Sequence, residues 1–328
     1  MIEPARGARP EGPFWSRFRA WLLGLLVLSG LILLVTHFGE LEHFVQLLRQ
    51  AEPAWLLLAA LLQLATYLCV ASVWYLALRR AGQRRSLLSL VPLGVAKLFS
   101  DQAMPSGGMS GTAFFITALS RRGIPTRVCM ATLLLSLVSY YGAYLLAALV
   151  TVLLLSFYHA LQLWNIVAVV VFVLVAVGIP AGALWLRSLA RRELPVQLLR
   201  IPGLGKLMDA IAQAPDELLR SPALVAAALL CHGAVFLLDA ATLQVMLQVV
   251  GMPATLQLVF PCFMLAAMVA TVGPIPLGLG TFEVTCVSML GALGVPVEAA
   301  LAATLLLRGF TLWLPMFPGM WLARRALR

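Results

Sequence analysis

The chain has 328 residues, 62% of them hydrophobic and only 11% charged, with a net charge of +10. A soluble domain carries about 45–50% apolar and about 25% charged residues, so a soluble enzyme or binding module is excluded and the class is a polytopic helical membrane protein. Nucleic acid is not the expected partner of the positive charge, because Lys and Arg cluster in short loops beside apolar runs, as in cytoplasmic loops near anionic lipid.

Residues 1–19 read as a polar cytoplasmic tail with Arg6, Arg9, Arg17 and Arg19. The apolar run Trp21–Thr36 has no small-residue cleavage site after it and reads as a retained first span over about 20–37. Further full spans are expected at about 54–78, 128–156, 163–186, 222–250 and 297–323, six in all. Two more apolar stretches, about 86–119 and 254–294, are interrupted by Pro/Gly knots. The first knot begins at Pro105 and contains Gly107 and Gly108; the second begins at Pro276 and contains Gly278 and Gly280. Each closes on a second proline twenty residues on, Pro125 and Pro296, and each is followed by Ala-Thr-Leu-Leu-Leu, at 131–135 and 303–307.

Helix-breaking sequence is tolerated at membrane depth only where it is buried in protein or lines a polar cavity. Paired broken segments in corresponding halves point to a transport site. Charge sidedness then orients the chain: with both knots entering and leaving on one face, 21 of the 23 basic residues fall on one side, Arg49 and Arg308 being the exceptions. Both termini are therefore expected in the cytoplasm. The first knot becomes a re-entrant hairpin dipping in from the cytoplasm and the second one from outside, so that units of about 54–156 and 222–323 form an inverted repeat in one domain, 20–325. The basic segment 187–221 joins them; an interfacial helix on anionic lipid and a solvated linker both fit its pattern.

Charges inside hydrocarbon cost about 2.5–3.5 kcal/mol each on insertion scales and mark function by default. Arg308, in Leu-Leu-Leu-Arg-Gly-Phe, lies too deep to snorkel. Its fork of donors suits a phosphate or carboxylate, and a buried ion pair locking the second hairpin to the last span is the compatible structural role. Glu283 is the expected partner, in the first turn of a half-helix for which Thr281 offers an N-cap. Asp239 lies mid-span, with His232 seven residues earlier on the same helical face, and hydrogen bonding between helices accounts for both as well as a functional role does. Asp101 and Lys97, one turn apart before the first knot, are placed to pair. Backbone N–H groups at the half-helix N-termini attract anionic groups. The set of substrate-contacting candidates is thus Arg308, Glu283, Asp239 and Asp101 with the knot residues Pro105, Gly107, Gly108, Pro276, Gly278 and Gly280.

No zinc-protease, nucleophile-elbow or phosphate-loop motif is present, and no His/Cys cluster has metal spacing. The five cysteines (Cys69, Cys129, Cys231, Cys262, Cys286) sit in apolar segments and read as small core residues. No catalytic residue, metal or cofactor is expected.

Several of these segments together resemble the lysylphosphatidylglycerol synthase transmembrane region, the flippase-like domain family. The resemblance is carried by Met-Pro-Ser-Gly-Gly-Met-Ser-Gly (104–111), Ala-Leu-Ser-Arg-Arg-Gly-Ile-Pro (118–125) and Pro-Leu-Gly-Leu-Gly-Thr-Phe-Glu (276–283). Gly294-Val-Pro296, Leu307-Arg308 and Trp313-Leu-Pro-Met-Phe-Pro-Gly319 complete it, over about 20–325. It implies movement of a lipid between leaflets: an aminoacylated or glycosylated phospholipid, or a polyprenyl-linked sugar. By matching position it implies that Glu283 and Arg308 are functional. Many members carry an acidic residue and an Arg in or just after the first knot, where this chain has Ser110 and uncharged residues through Leu119, so headgroup contact is expected mainly at the second. Full-length aminoacyl-lipid synthases append a soluble transferase domain that this sequence lacks, so it is not expected to make the lipid. The expected function is lipid translocation in a bacterial inner membrane, without enzymatic activity. The alternatives are an accessory subunit partnering a lipid-modifying enzyme, and a membrane-embedded transferase.

Overall fold

A computed structural model of the protein describes residues 52–103, 109–158, 160–190, 215–273 and 275–326, the side chains of 190 and 276 excepted. The expected tail 1–19, the span at 20–37, the first-knot residues Pro105, Gly107 and Gly108, and most of the linker lie outside the described residues. Among the described residues every regular element is helical. Five of the described helices are long and apolar enough to cross a membrane, and three shorter apolar ones accompany them.

Helix α1 (Pro53–Arg80) starts with a proline at its first position, where no N–H is needed, and ends on Arg79 and Arg80. It is followed by α2 (Leu87–Ala103) and α3 (Met109–Ser120), then by the long α4 (Thr126–Phe157) and α5 (Leu163–Ala190). After a single turn at Glu217–Arg220 come α6 (Pro222–Val249), α7 (Leu256–Val272), a 3-10 turn at Pro276–Gly278 and α8 (Thr281–Ala292). Helix α9 (Val297–Arg308) passes through a π-helical turn, Gly309–Trp313, into α10 (Leu314–Ala326). The two knotted stretches are thus each a pair of short helices. The expected last span is one continuous but irregular helix: Pro315 has no N–H and its ring would crowd the carbonyl four residues back, and the wider π turn just before it relieves that crowding.

The element lengths recur. Helices α1 and α6 both have 28 residues, α2 and α7 both have 17 with a proline as the sixth (Pro92, Pro261), and α3 and α8 both have 12. Helix α1 packs along α6, α4 lies against α7, and α10 lies against α2. Close approach in the last pair requires Gly319, where an added Cβ would lie 2.6 Å from Phe99 Cβ. Near the end of α5, Arg187 forms an ion pair with Asp216 (2.6 Å), tying this helix to the single turn that precedes α6. The five cysteines are free thiols, as their apolar settings imply.

Candidate functional site

The second knot is built from backbone conformations that most side chains avoid. Gly278 (φ 64°) and Gly280 (φ 78°) are left-handed, and so is Leu277 (φ 61°), the one non-glycine residue with positive φ among the described residues. A non-glycine residue there costs about 1–3 kcal/mol and persists only where its surroundings over-determine it. Gly278 is required on a second count, since a Cβ would overlap the Ala270 methyl of α7. The chain crosses α7 at this point with no room for a side chain.

What holds Leu277 in place is Arg308. Its Nη2 donates to the Leu277 carbonyl at 3.0 Å, and its Nε donates to Glu283 Oε1 at 2.5 Å. The guanidinium carbon lies 5.0 Å from the centre of the Phe282 ring, within cation–π range. Both charged side chains are less than a tenth exposed. The span that carries Arg308, Val297–Ala326, is the most enclosed of the five, with 50% of its most apolar window buried. A charge in hydrocarbon is thus surrounded by protein and neutralised by a partner, the condition under which it is tolerated. Glu283 Oε2 is buried and accepts no hydrogen bond among the described residues, so the carboxylate retains acceptor capacity that the protein does not use.

One expectation is corrected here. Thr281 does not cap α8: Gly280, with its positive φ, occupies the cap position, and the Thr281 hydroxyl turns back to donate to the Gly278 carbonyl at 3.0 Å. Glu283 stands in the first turn of α8 as expected, on the favourable end of the helix dipole. Pro276 opens the 3-10 turn that carries Leu277.

The other candidates lie elsewhere. Asp101 accepts from Lys97 Nζ (2.7 Å) and from the Gly111 backbone N–H (2.8 Å), so its carboxylate caps α3 across the first hairpin. Asp239 accepts from Gln63 Nε2 at 3.0 Å, and the same nitrogen reaches Thr242 Oγ1 at 3.0 Å. His232 pairs instead with Ser139 Oγ at 3.0 Å, beside the ring of Tyr140. A polar seam therefore runs along α6, joining it to α1 through Asp239 and to α4 through His232. The shared face of Asp239 and His232 serves two different neighbours. Gln63 and Ser139 were not singled out from the sequence, although a glutamine mid-span is itself a signal for a cross-helix hydrogen bond. Among the described residues no group of three His, Cys, Asp or Glu is placed to hold a metal.

Fold and site together define a multi-pass α-helical membrane protein with an ionised pair set within its helices. The family model of the lysylphosphatidylglycerol synthase TM region matches residues 21–319, and the chain belongs to that family of membrane proteins related to lipid metabolism or translocation. No curated protein matches it.

Proposed function

We propose that the protein translocates a lipid with an anionic phosphate between the leaflets of a bacterial cytoplasmic membrane, and does not itself alter the lipid covalently. The observation that carries this reading is the Arg308–Glu283 pair inside a strained, glycine-broken loop. Arg308 is the one basic residue set mid-span in the enclosed last helix, and its guanidinium matches a phosphate bidentately. A phosphate arriving at Arg308 competes with Glu283 and with the Leu277 carbonyl, so binding loosens the contacts that pin the second knot. Exchange of a protein partner for a substrate partner keeps the Arg308 guanidinium paired in both states.

The transport architecture we propose is an inverted repeat with two re-entrant hairpins, inside one domain of about 20–325 and with both termini cytoplasmic. The equal lengths of α1 and α6, α2 and α7, and α3 and α8 support it, as does the shared proline position. Helices α3 and α8, with 12 residues each, are about 18 Å long at 1.5 Å per residue, against a hydrocarbon core of about 30 Å. Such half-length helices suit hairpins that return to the face they entered. A separate lipid-modifying enzyme would supply the substrate.

The test is leaflet exchange of a labelled anionic phospholipid in proteoliposomes. Wild-type protein is expected to exchange it and Arg308→Ala, recovered folded, to lose at least about 90% of the rate, the minimum for a tenfold loss of binding. Unchanged exchange in that variant refutes the site. Covalent turnover of the lipid by the purified protein refutes the assignment as a non-enzyme.

A further inference from the structure

Helix α5 packs on α4 and α7, while α8 packs on α7 and α9. Between the start of α5 and α8 this arrangement leaves a groove of two adjoining cavities, about 370 and 870 Å³, both bounded by Gln162, Trp164 and Thr285. These volumes fall in the range of ligand sites, about 300–1,000 Å³. Helix α5 is the least enclosed of the five spans, with 17% of its most apolar window buried, so this groove has a wall that faces the bilayer.

The lining has two chemistries. The smaller cavity carries the amides of Gln162 and Asn165 and the hydroxyls of Thr285 and Ser288; the larger runs along Val167, Ala168 and Val269. Among the described residues no charged side chain lines either cavity. Asn165 is 1% exposed. Its Nδ2 donates to the Ala160 carbonyl at 3.0 Å, while its Oδ1 is buried and accepts nothing. Trp164 Nε1 donates to Gln162 Oε1 at 2.7 Å, which fixes an indole that remains 41% exposed.

We propose that this groove binds one lipid from the adjoining leaflet, an acyl chain lying along Val167, Ala168 and Val269 and the hydroxyls of its headgroup meeting Gln162, Asn165 and Ser288. An orphaned amide oxygen needs a donor. A phosphate offers only acceptors, so the donor comes from a hydroxyl elsewhere in the headgroup. An ammonium group offers donors but would find no carboxylate among the described lining residues, and a buried unpaired charge is unfavourable. A hydroxyl satisfies the amides without either penalty, and the exposed indole face suits the apolar face of a sugar or glycerol. This inference rests on the translocase reading for its purpose and sharpens it: the substrate class becomes a lipid whose headgroup carries hydroxyls.

Brominated acyl chains quench tryptophan on contact, and the part of the quenching removed by Trp164→Phe reports groove occupancy. Full-length protein in nanodiscs is titrated with three lipids bearing dibrominated chains: a monoglucosyl diacylglycerol, phosphatidylglycerol and phosphatidylcholine. The Trp164 component is expected to saturate at about tenfold lower mole fraction for the two hydroxyl-bearing lipids than for phosphatidylcholine, the ratio that one lost hydrogen-bonding partner produces. Two groove-filling variants, Ser288→Leu and Ala168→Phe, are expected to remove that component with an unchanged unfolding temperature. Equal saturation by all three lipids overturns the headgroup assignment. A component untouched by both variants overturns the groove, and so does a Trp164 shielded from every brominated lipid, which would mean that another protein chain covers it. The two readings fail separately: wild-type protein that shows the Trp164 component but no leaflet exchange refutes translocation alone, and exchange without the component refutes the groove alone.

Discussion

The Arg308–Glu283 pair can be tested as a structural lock and as a substrate site in one set of variants. Replacing Arg308 by Met leaves a carboxylate less than a tenth exposed with no cation beside it, and replacing Glu283 by Met leaves the guanidinium in the same position. Breaking a buried pair on one side costs about 3–5 kcal/mol, whereas replacing both members by apolar residues of similar volume is close to neutral or stabilising. The double variant still orphans the Leu277 carbonyl, which Arg308 Nη2 satisfies at 3.0 Å, at about 1–3 kcal/mol. Each single variant is therefore expected to lower the unfolding temperature by roughly 6–20 °C at about 2–4 °C per kcal/mol, and the double variant by less than either. Unfolding temperatures of the four proteins in one detergent close the cycle, with a coupling of about 3 kcal/mol or more expected between the two sites. If the double variant instead loses the sum of the single losses, the two residues do not depend on each other and the lock is refuted. The double variant also carries the functional question: folded but inactive in leaflet exchange, it assigns the pair a role beyond holding the knot, while folded and fully active it leaves the pair structural only.

Three further outcomes follow from the same geometry. Leu277→Gly removes the cost of a left-handed leucine and is expected to raise stability by about 1 kcal/mol, read as a higher unfolding temperature; a fall would mean that the leucine side chain outweighs its backbone strain. Gly278→Ala is expected to destabilise by at least about 2 kcal/mol, because it adds a left-handed alanine to an overlap with the Ala270 methyl, and wild-type stability would refute the close crossing. Asp101→Ala removes the cap on α3 and should cost about 0.5–2 kcal/mol, while Asp101→Asn, which retains an acceptor for the Gly111 N–H, should cost less in the same unfolding assay; equal losses would show that the Lys97 charge, not the cap, is what matters.

The spans were legible because hydrocarbon imposes one simple rule, a run of about 20 apolar residues, and α1, α4, α5 and α6 obey it. The broken pairs were legible because proline and glycine act on the local backbone, and Arg308 called for a partner because a lone buried guanidinium is untenable. What escaped was set by neighbours distant in sequence. Gln63 and Asp239 are 176 residues apart, and nothing in either segment records that α1 and α6 lie side by side. Thr281 looked like a cap because its residue type prefers that role, yet Gly280 had already taken the required conformation and left the hydroxyl to bond backwards. The π turn escaped because Pro315 alone predicts a kink, and whether a helix answers with a kink or a wider turn depends on how it packs on both sides of the proline.

That packing matters for how the second knot is held. Upstream of the π turn, Arg308 grips the knot through Leu277 and Glu283; downstream, Gly319 rests against Phe99 and the Val95 carbonyl of α2 in the first hairpin. One continuous span thus touches both hairpins. The wider turn between these contacts sets the rotation of Gly319 relative to Arg308: without it, α10 would present a different face to α2. The Thr311 hydroxyl, donating to the Leu307 carbonyl at 3.0 Å, supports the backbone where the register changes. The two hairpins are unequal in charge, since the first holds an acid that caps its own helix and the second holds a pair reaching across to another span. Under the proposed exchange of Glu283 for a phosphate, a shift of α9 would reach the first hairpin through the Gly319 contact. On that proposal the first hairpin would respond to the headgroup without having to bind it.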